Sequence, residues 1–266
     1  MTLRSRLSFS RHLQLEPGEG STLFLLSLSL FLVIGSTAVT GRTVGRAMFL
    51  SGLPPEYIPV RFIAVTVGVV LTSLLYARIA GRFQSHHLIR RTTLMIIAGL
   101  LAFRLVLGTS IASNLWILGS FYVFLEIVMA LNIVQFWTFA SEIFNTRQAK
   151  RLFPIVTGAS NFGSMLAGAS ITVLVPWLGT LDLLYVIAGM LAVNILLVNI
   201  LGRRHQASHK QSVPPASASK QPKSGTKATQ SALGFLRSSP LLGTMAVIVV
   251  LTTLVVNIID YQFDLA

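Results

Sequence analysis

Long apolar runs recur along this chain from residue 23 almost to its end. Seven are long enough to cross a bilayer as helices: residues 23–39, running on toward 50, then 58–80, 88–108, 115–139, 154–177, 183–201 and 241–259. A helical span needs about 20 mostly apolar residues, because its backbone polar groups must be bonded within the segment. The runs are continuous rather than alternating in polarity, which argues against a β-barrel. Of 266 residues, 53% are hydrophobic and 11% charged, with a mean hydropathy of +0.73. A soluble domain carries about a quarter charged residues, so a soluble enzyme is excluded, and a disordered chain is too. With no cysteine, disulfides, thiolate nucleophiles and Cys-based metal sites are also excluded. The fold class this predicts is an all-α polytopic membrane protein.

The chain carries 21 Lys and Arg against 8 Asp and Glu, a formal net charge of +13. In a soluble protein that imbalance would suggest nucleic acid. The positions of the basic residues point elsewhere. Arg4, Arg6 and Arg11 precede the first run; Arg78, Arg82, Arg90 and Arg91 flank the second loop. Arg147, Lys150 and Arg151 lie between the fourth and fifth runs. Arg203, Arg204, Lys210, Lys220, Lys223, Lys227 and Arg237 lie between the sixth and seventh. Threaded through the spans, 17 of the 21 fall on one side. The positive-inside rule then puts the N-terminus in the cytoplasm, in a bacterial inner membrane, and no nucleic-acid partner is expected. The first run starts behind Glu16-Pro17-Gly18-Glu19 with no small-residue cleavage site after it, so it reads as a retained span.

Residues 203–239 are rich in Ser, Pro, Gln, Ala and Lys. Such a segment cannot bury enough apolar surface to fold and reads as a flexible cytoplasmic linker; lysine contact with anionic lipid is the alternative. The expected organisation is a cytoplasmic N-terminus (1–22), a six-helix transmembrane half (23–202), the basic linker (203–239), and a seventh span to the end (240–266). Six spans, a basic linker and another span resemble the two-half plan of the major facilitators, in which about five more helices would follow. The expectation is a truncated or split product, or one part of a larger assembly with a second transporter half.

Ionisable groups inside a membrane are costly, so each is a functional candidate. Glu126 lies mid-span with nothing to let it reach the interface. Arg104 is its possible partner, although the two differ in depth by roughly 10 Å; the rival reading has Arg104 reaching the outer interface along its own stem. Arg42 and Arg46 share one helix face at i, i+4 spacing if the first span continues through Gly41. Two guanidiniums on one face suit phosphate groups through bidentate hydrogen bonds, or else they sit hydrated among headgroups. Gln135 lies nine residues from Glu126, on the opposite face, and Asn132 and Gln135 suit hydrogen bonds to a neighbouring helix. Glu142 shares the Gln135 face near the cytoplasmic end; Asp260 closes the seventh span as a cap or a gate. In the fifth span Ala159, Gly163 and Ala167, and Ser160, Ser164 and Gly168, form ladders of small residues for close helix packing.

Several motifs fail. Gly158-Ala-Ser-Asn-Phe-Gly163 has the glycine spacing of a P-loop, but Ser164 stands where the lysine belongs. His86-His87 sits in a basic loop with no carboxylate close in sequence, so a metal site is not expected there. No catalytic constellation or cofactor motif is present, so the chain is not expected to be an enzyme.

The stretch from Phe136-Trp137-Thr-Phe139-Ala140 through Gln148-Ala149-Lys150-Arg151-Leu152-Phe153-Pro154, with the glycine-rich run behind it, resembles the fourth-to-fifth span junction of the ATP/ADP translocases of plastids and intracellular bacteria. Gly45-Arg46-Ala47-Met48-Phe49-Leu50-Ser51 with Tyr57-Ile-Pro59, and Ile259-Asp260-Tyr261-Gln262-Phe263, are similar to further segments of that family. The resemblance implies nucleotide exchange by alternating access, without hydrolysis. Under it, Arg42, Arg46 and Arg104 are cavity-lining cations and Glu126, which matches a mid-span acid, is the coupling or gating carboxylate. The expected partners are a nucleotide or another anionic small molecule and the lipid bilayer. Two alternatives stand beside this: a non-transporting membrane module, and a facilitator for a different anion.

Overall fold

The computed structural model describes residues 19–52, 54–80, 85–109 and 114–212, and the single helical positions Leu251, Val255 and Gln262. Among the described residues there is helix and no strand. Helix α1 (Glu19–Val33) passes without a break through a π-helical segment (Ile34–Gly41) into α2 (Arg42–Gly52). The others are α3 (Ile58–Ala80), α4 (Ser85–Leu107), α5 (Leu115–Ile143), α6 (Thr146–Leu178) and α7 (Leu183–Ser212), with a single 3-10 turn at Pro55–Tyr57.

Five of these stretches are long and apolar enough to cross a membrane: Gly20–Gly52, Pro59–Tyr76, Leu115–Ile143, Thr146–Leu178 and Leu183–Arg204. Helix α4, on which the expected span 88–108 falls, has the length with 23 residues, but it carries Arg90, Arg91 and Arg104. The chain is thus an all-α polytopic membrane protein. The expected seventh span, 241–259, lies outside the described residues apart from two positions.

The ends of the helices follow local rules. Asn114 caps α5 by accepting the Trp116 N–H. Asn145 and Gln148 form a reciprocal capping box at the start of α6. That helix stops at Gly179, whose φ of 82° a side chain would strain. Helix α7 does not stop at residue 202 but runs on to Ser212, into the stretch expected to start the linker. Extending an already packed helix adds a hydrogen bond for each residue ordered, so a polar sequence can follow the helix out. Residues 213–239 lie outside the described residues.

Contacts divide the chain into two units, Met1–Leu53 with Val60–Ser212, and Pro54–Pro59 with Val213–Ala266. The second is described only at residues 54–59 and the three single positions. The first holds two apolar cores. One gathers Leu26 and Leu30 of α1, Phe136 and Ala140 of α5, Leu152 and Val156 of α6, and Leu201 of α7. The other gathers Val44 of α2, Leu100 of α4, Phe121 and Leu125 of α5, and Leu184 and Leu191 of α7. The small-residue ladder of α6 packs on the first helix: a Cβ on Gly163 would come 2.7 Å from Cδ2 of Phe31, and one on Gly35 3.5 Å from Cβ of Ala167.

Candidate functional site

The first span continues through Gly41, so Arg42 and Arg46 stand one turn apart on α2. They do so beyond a π-helical stretch, a geometry uncommon except at functional positions. Hydroxyls inside it satisfy the loosened carbonyls: Thr37 Oγ1 donates to Val33 O at 2.7 Å, and Thr40 Oγ1 to Gly35 O at 2.8 Å. Gly45 then brings α2 close to α5, since a Cβ there would sit 3.1 Å from Leu125 and 3.4 Å from the Tyr122 ring.

That approach places Arg42 Nε 3.4 Å from Glu126 Oε1. Tyr122, one turn before Glu126 on α5, donates its O–H to the same carboxylate oxygen at 3.2 Å. Arg61 of α3 is 4% exposed. Its guanidinium lies 4.8 Å from the centres of both the Tyr122 and Phe62 rings and 5.1 Å from that of Phe49. Such stacking offsets part of the cost of placing a guanidinium in an apolar setting. Arg46 and Arg61 both act electrostatically on Tyr122. The cluster therefore joins Arg42, Arg46 and Arg61 to one carboxylate, a formal excess of two positive charges.

Arg104 is placed elsewhere. Its Nε donates to Asp182 Oδ1 at 2.9 Å, its Nη2 reaches the same oxygen, and the Tyr185 ring centre is 5.4 Å away. The expected partnership of Arg104 with Glu126 is not formed; Glu126 takes Arg42 and Tyr122 instead. Arg104 stands near the end of α4, level with the turn before α7 that holds Asp182, whereas Glu126 is eleven residues inside α5.

Sequence reasoning missed Tyr122, and it left Arg61 among the four basic residues off the cytoplasmic side without giving it a place in the site. The spacing Tyr122-x-x-x-Glu126 was the available signal for the tyrosine. Glu126 and Gln135 face different surroundings, as their spacing requires. Gln135 accepts from Thr92 Oγ1 of α4 at 3.1 Å and borders a small pocket with Ser29, Asn132 and Asn194. His86 and His87 are not remote from acid: Glu142 acts electrostatically on His86, although 56 positions away in sequence. No cluster of three or more His, Asp or Glu able to hold a metal occurs among the described residues.

The profile of the TLC ATP/ADP transporter family matches residues 60–264, more than three quarters of the chain. The chain belongs to the TLC ATP/ADP transporter family. Arg61, Arg104 and Glu126 fall within the part matched to the TLC family, and Arg42 and Arg46 precede it. One family relative is the protein named ADP,ATP carrier protein 3 of Rickettsia bellii (strain RML369-C), 42% identical over 55 residues. The same-named protein of Rickettsia conorii (strain ATCC VR-613 / Malish 7) is 38% identical over 55 residues. Each alignment covers 20% of this chain and 11% of the relative, so the matched segment spans about a tenth of those carriers. No solved structure matches the chain.

Proposed function

We propose that this chain forms the first six-helix half of a major-facilitator-type carrier that exchanges nucleotides across a membrane by alternating access. The observation that carries the reading is the Arg42–Glu126 pair, set beside Arg46 and the stacked Arg61, in a chain of the TLC transporter family. Nucleotide phosphates carry several negative charges, and the planar fork of a guanidinium meets two oxygens of a phosphate with two hydrogen bonds. Glu126 acts as the coupling carboxylate: it holds Arg42 until a phosphate competes for it, so that binding weakens a contact between α2 and α5. Because Arg104 is held by Asp182, its role is to tie helices together at the end of the bundle rather than to meet substrate. The bundle lies in a bacterial inner membrane with its N-terminus in the cytoplasm, and residues 213–239 link it to a second half that completes the path.

Reconstituted together with the second half in liposomes preloaded with ADP, the chain takes up labelled ATP under this reading. Glu126→Gln and Arg42→Gln each lower the rate by tenfold or more, which corresponds to about 1.4 kcal/mol of lost stabilisation or above. Uptake no faster than in protein-free liposomes would falsify the proposal. Exchange of inorganic phosphate but not of nucleotide would instead assign the arginine cluster to a different anion.

A further inference from the structure

Away from the arginine cluster, four polar side chains from three helices meet around the small pocket: Ser29 of α1, Asn132 and Gln135 of α5, and Asn194 of α7. All four are buried, with Gln135 only 1% exposed. Ser29 Oγ donates to Asn194 Oδ1 at 2.6 Å, and Asn132 Nδ2 donates to Val128 O at 2.8 Å. Gln135 is half satisfied. Thr92 Oγ1 of α4 lies 3.1 Å from its Oε1, while its Nε2 has no partner. Turning the amide over exchanges the two atoms and still leaves one of them unpaired.

We propose that this pocket is an ordered-water site joining α1, α4, α5 and α7, with the Gln135 amide as its main anchor. The size fits, since the room it offers to a water-sized sphere is about that of one water molecule. The chemistry fits as well. The groups around the pocket still have both kinds of capacity: amide N–H to donate from Gln135 and Asn194, and oxygen lone pairs on Asn132 and Ser29 to accept. A guest that donates and accepts at once uses that mixture. A bare cation would meet amide N–H groups and no carboxylate, and an anion would meet carbonyl oxygens and no positive charge. The water adds a link between the α1–α7 and α4–α5 hydrogen bonds, which do not join each other directly, and a joint of that kind can re-form after the helices shift.

The test is a high-resolution structure of the whole chain in lipid nanodiscs, with Gln135→Leu alongside. The expected result is one solvent peak within hydrogen-bond distance of the Gln135 amide and of at least one of Asn132, Asn194 and Ser29. That peak is the same in sodium, potassium and choline buffers, and it is lost in Gln135→Leu. An empty pocket, or a Gln135 amide bonded on both atoms to protein, overturns the proposal. So does a thermal midpoint of the unaltered chain that rises with sodium or potassium relative to choline, since that marks a cation site. The last measurement needs no variant and stands even if Gln135→Leu fails to fold.

Discussion

Arg104 and Asp182 meet where the C-terminal end of α4 reaches the turn before α7, with side chains 23% and 39% exposed. Partial exposure and solvent screening limit what such a pair contributes, so its effect on stability is small. Arg104→Ala and Asp182→Asn should each lower the thermal midpoint slightly, and the double variant should cost little more than either alone. Fully additive losses would show that the two act independently. His86 gives a second prediction at this scale. Burial, helped by His87 and Arg90 and opposed by Glu142, lowers its pKa below the usual histidine value. The unfolded chain therefore takes up the proton first, at about pH 6.5. The contribution of neutral His86 is complete above that pH and is lost as pH falls toward the folded value. Thermal midpoints measured from about pH 7.5 down to about pH 5.5 should fall less in His86→Gln than in the unaltered chain. Among residues, those with an unusual setting in the sequence were legible: Glu126 stands out in an apolar run, and the spacing of Arg42 and Arg46 declares a shared face. The partners were not. Pairing Arg42 with Glu126, or Arg61 with Tyr122, is a matter of which helices touch, and nothing local to either residue encodes it.

Between elements, the closest approach in the small-residue ladder is Gly163 on Phe31. A methyl group there meets Cδ2 at 2.7 Å and, behind it, the Phe31 backbone at 3.3 Å, so the helices must part. Gly163→Ala should destabilise the protein by about 1–3 kcal/mol, as overpacking does. Gly168, five residues further along α6, has nothing within 4 Å of its missing Cβ. Gly168→Ala should be neutral or stabilising by up to about 1 kcal/mol, through better helix propensity. Thermal unfolding in detergent checks both, and equal effects would mean that the ladder does not discriminate its members. The ladder was visible in sequence because four-residue spacing of small side chains has one geometric meaning on a helix. The π-helical segment was not: Ile34-Gly-Ser-Thr-Ala-Val-Thr-Gly41 reads as ordinary apolar helix. Its widened hydrogen bonding has no signature in the type or spacing of its side chains. The run of α7 to Ser212 was missed for a related reason, since composition reports what a segment can bury and not whether a neighbouring helix will carry it along.

For the whole molecule, the distribution of lysine and arginine makes orientation testable. A phosphatase that works only outside the cytoplasm should be active when fused within residues 110–113 and inactive when fused after Arg147 or after residue 212. The opposite pattern would invert the proposed topology. Apolar length was the most legible feature of this chain, because a bilayer accepts few backbone arrangements: five of the seven expected spans fall on helices long and apolar enough to cross it. The π-helical stretch of the first span bears on what kinds of genetic change such a chain tolerates. A π turn holds one residue more than an α turn. Deleting a single residue between Ile34 and Gly41 would let the segment close into regular α-helix with the side chains beyond it nearly in place, whereas inserting one would swing every side chain beyond it by about 100° around the axis. Arg42 and Arg46 would keep their chemistry and lose their direction. One-codon insertions in these eight codons should therefore be harsher than one-codon deletions there, although neither changes a residue that touches Glu126.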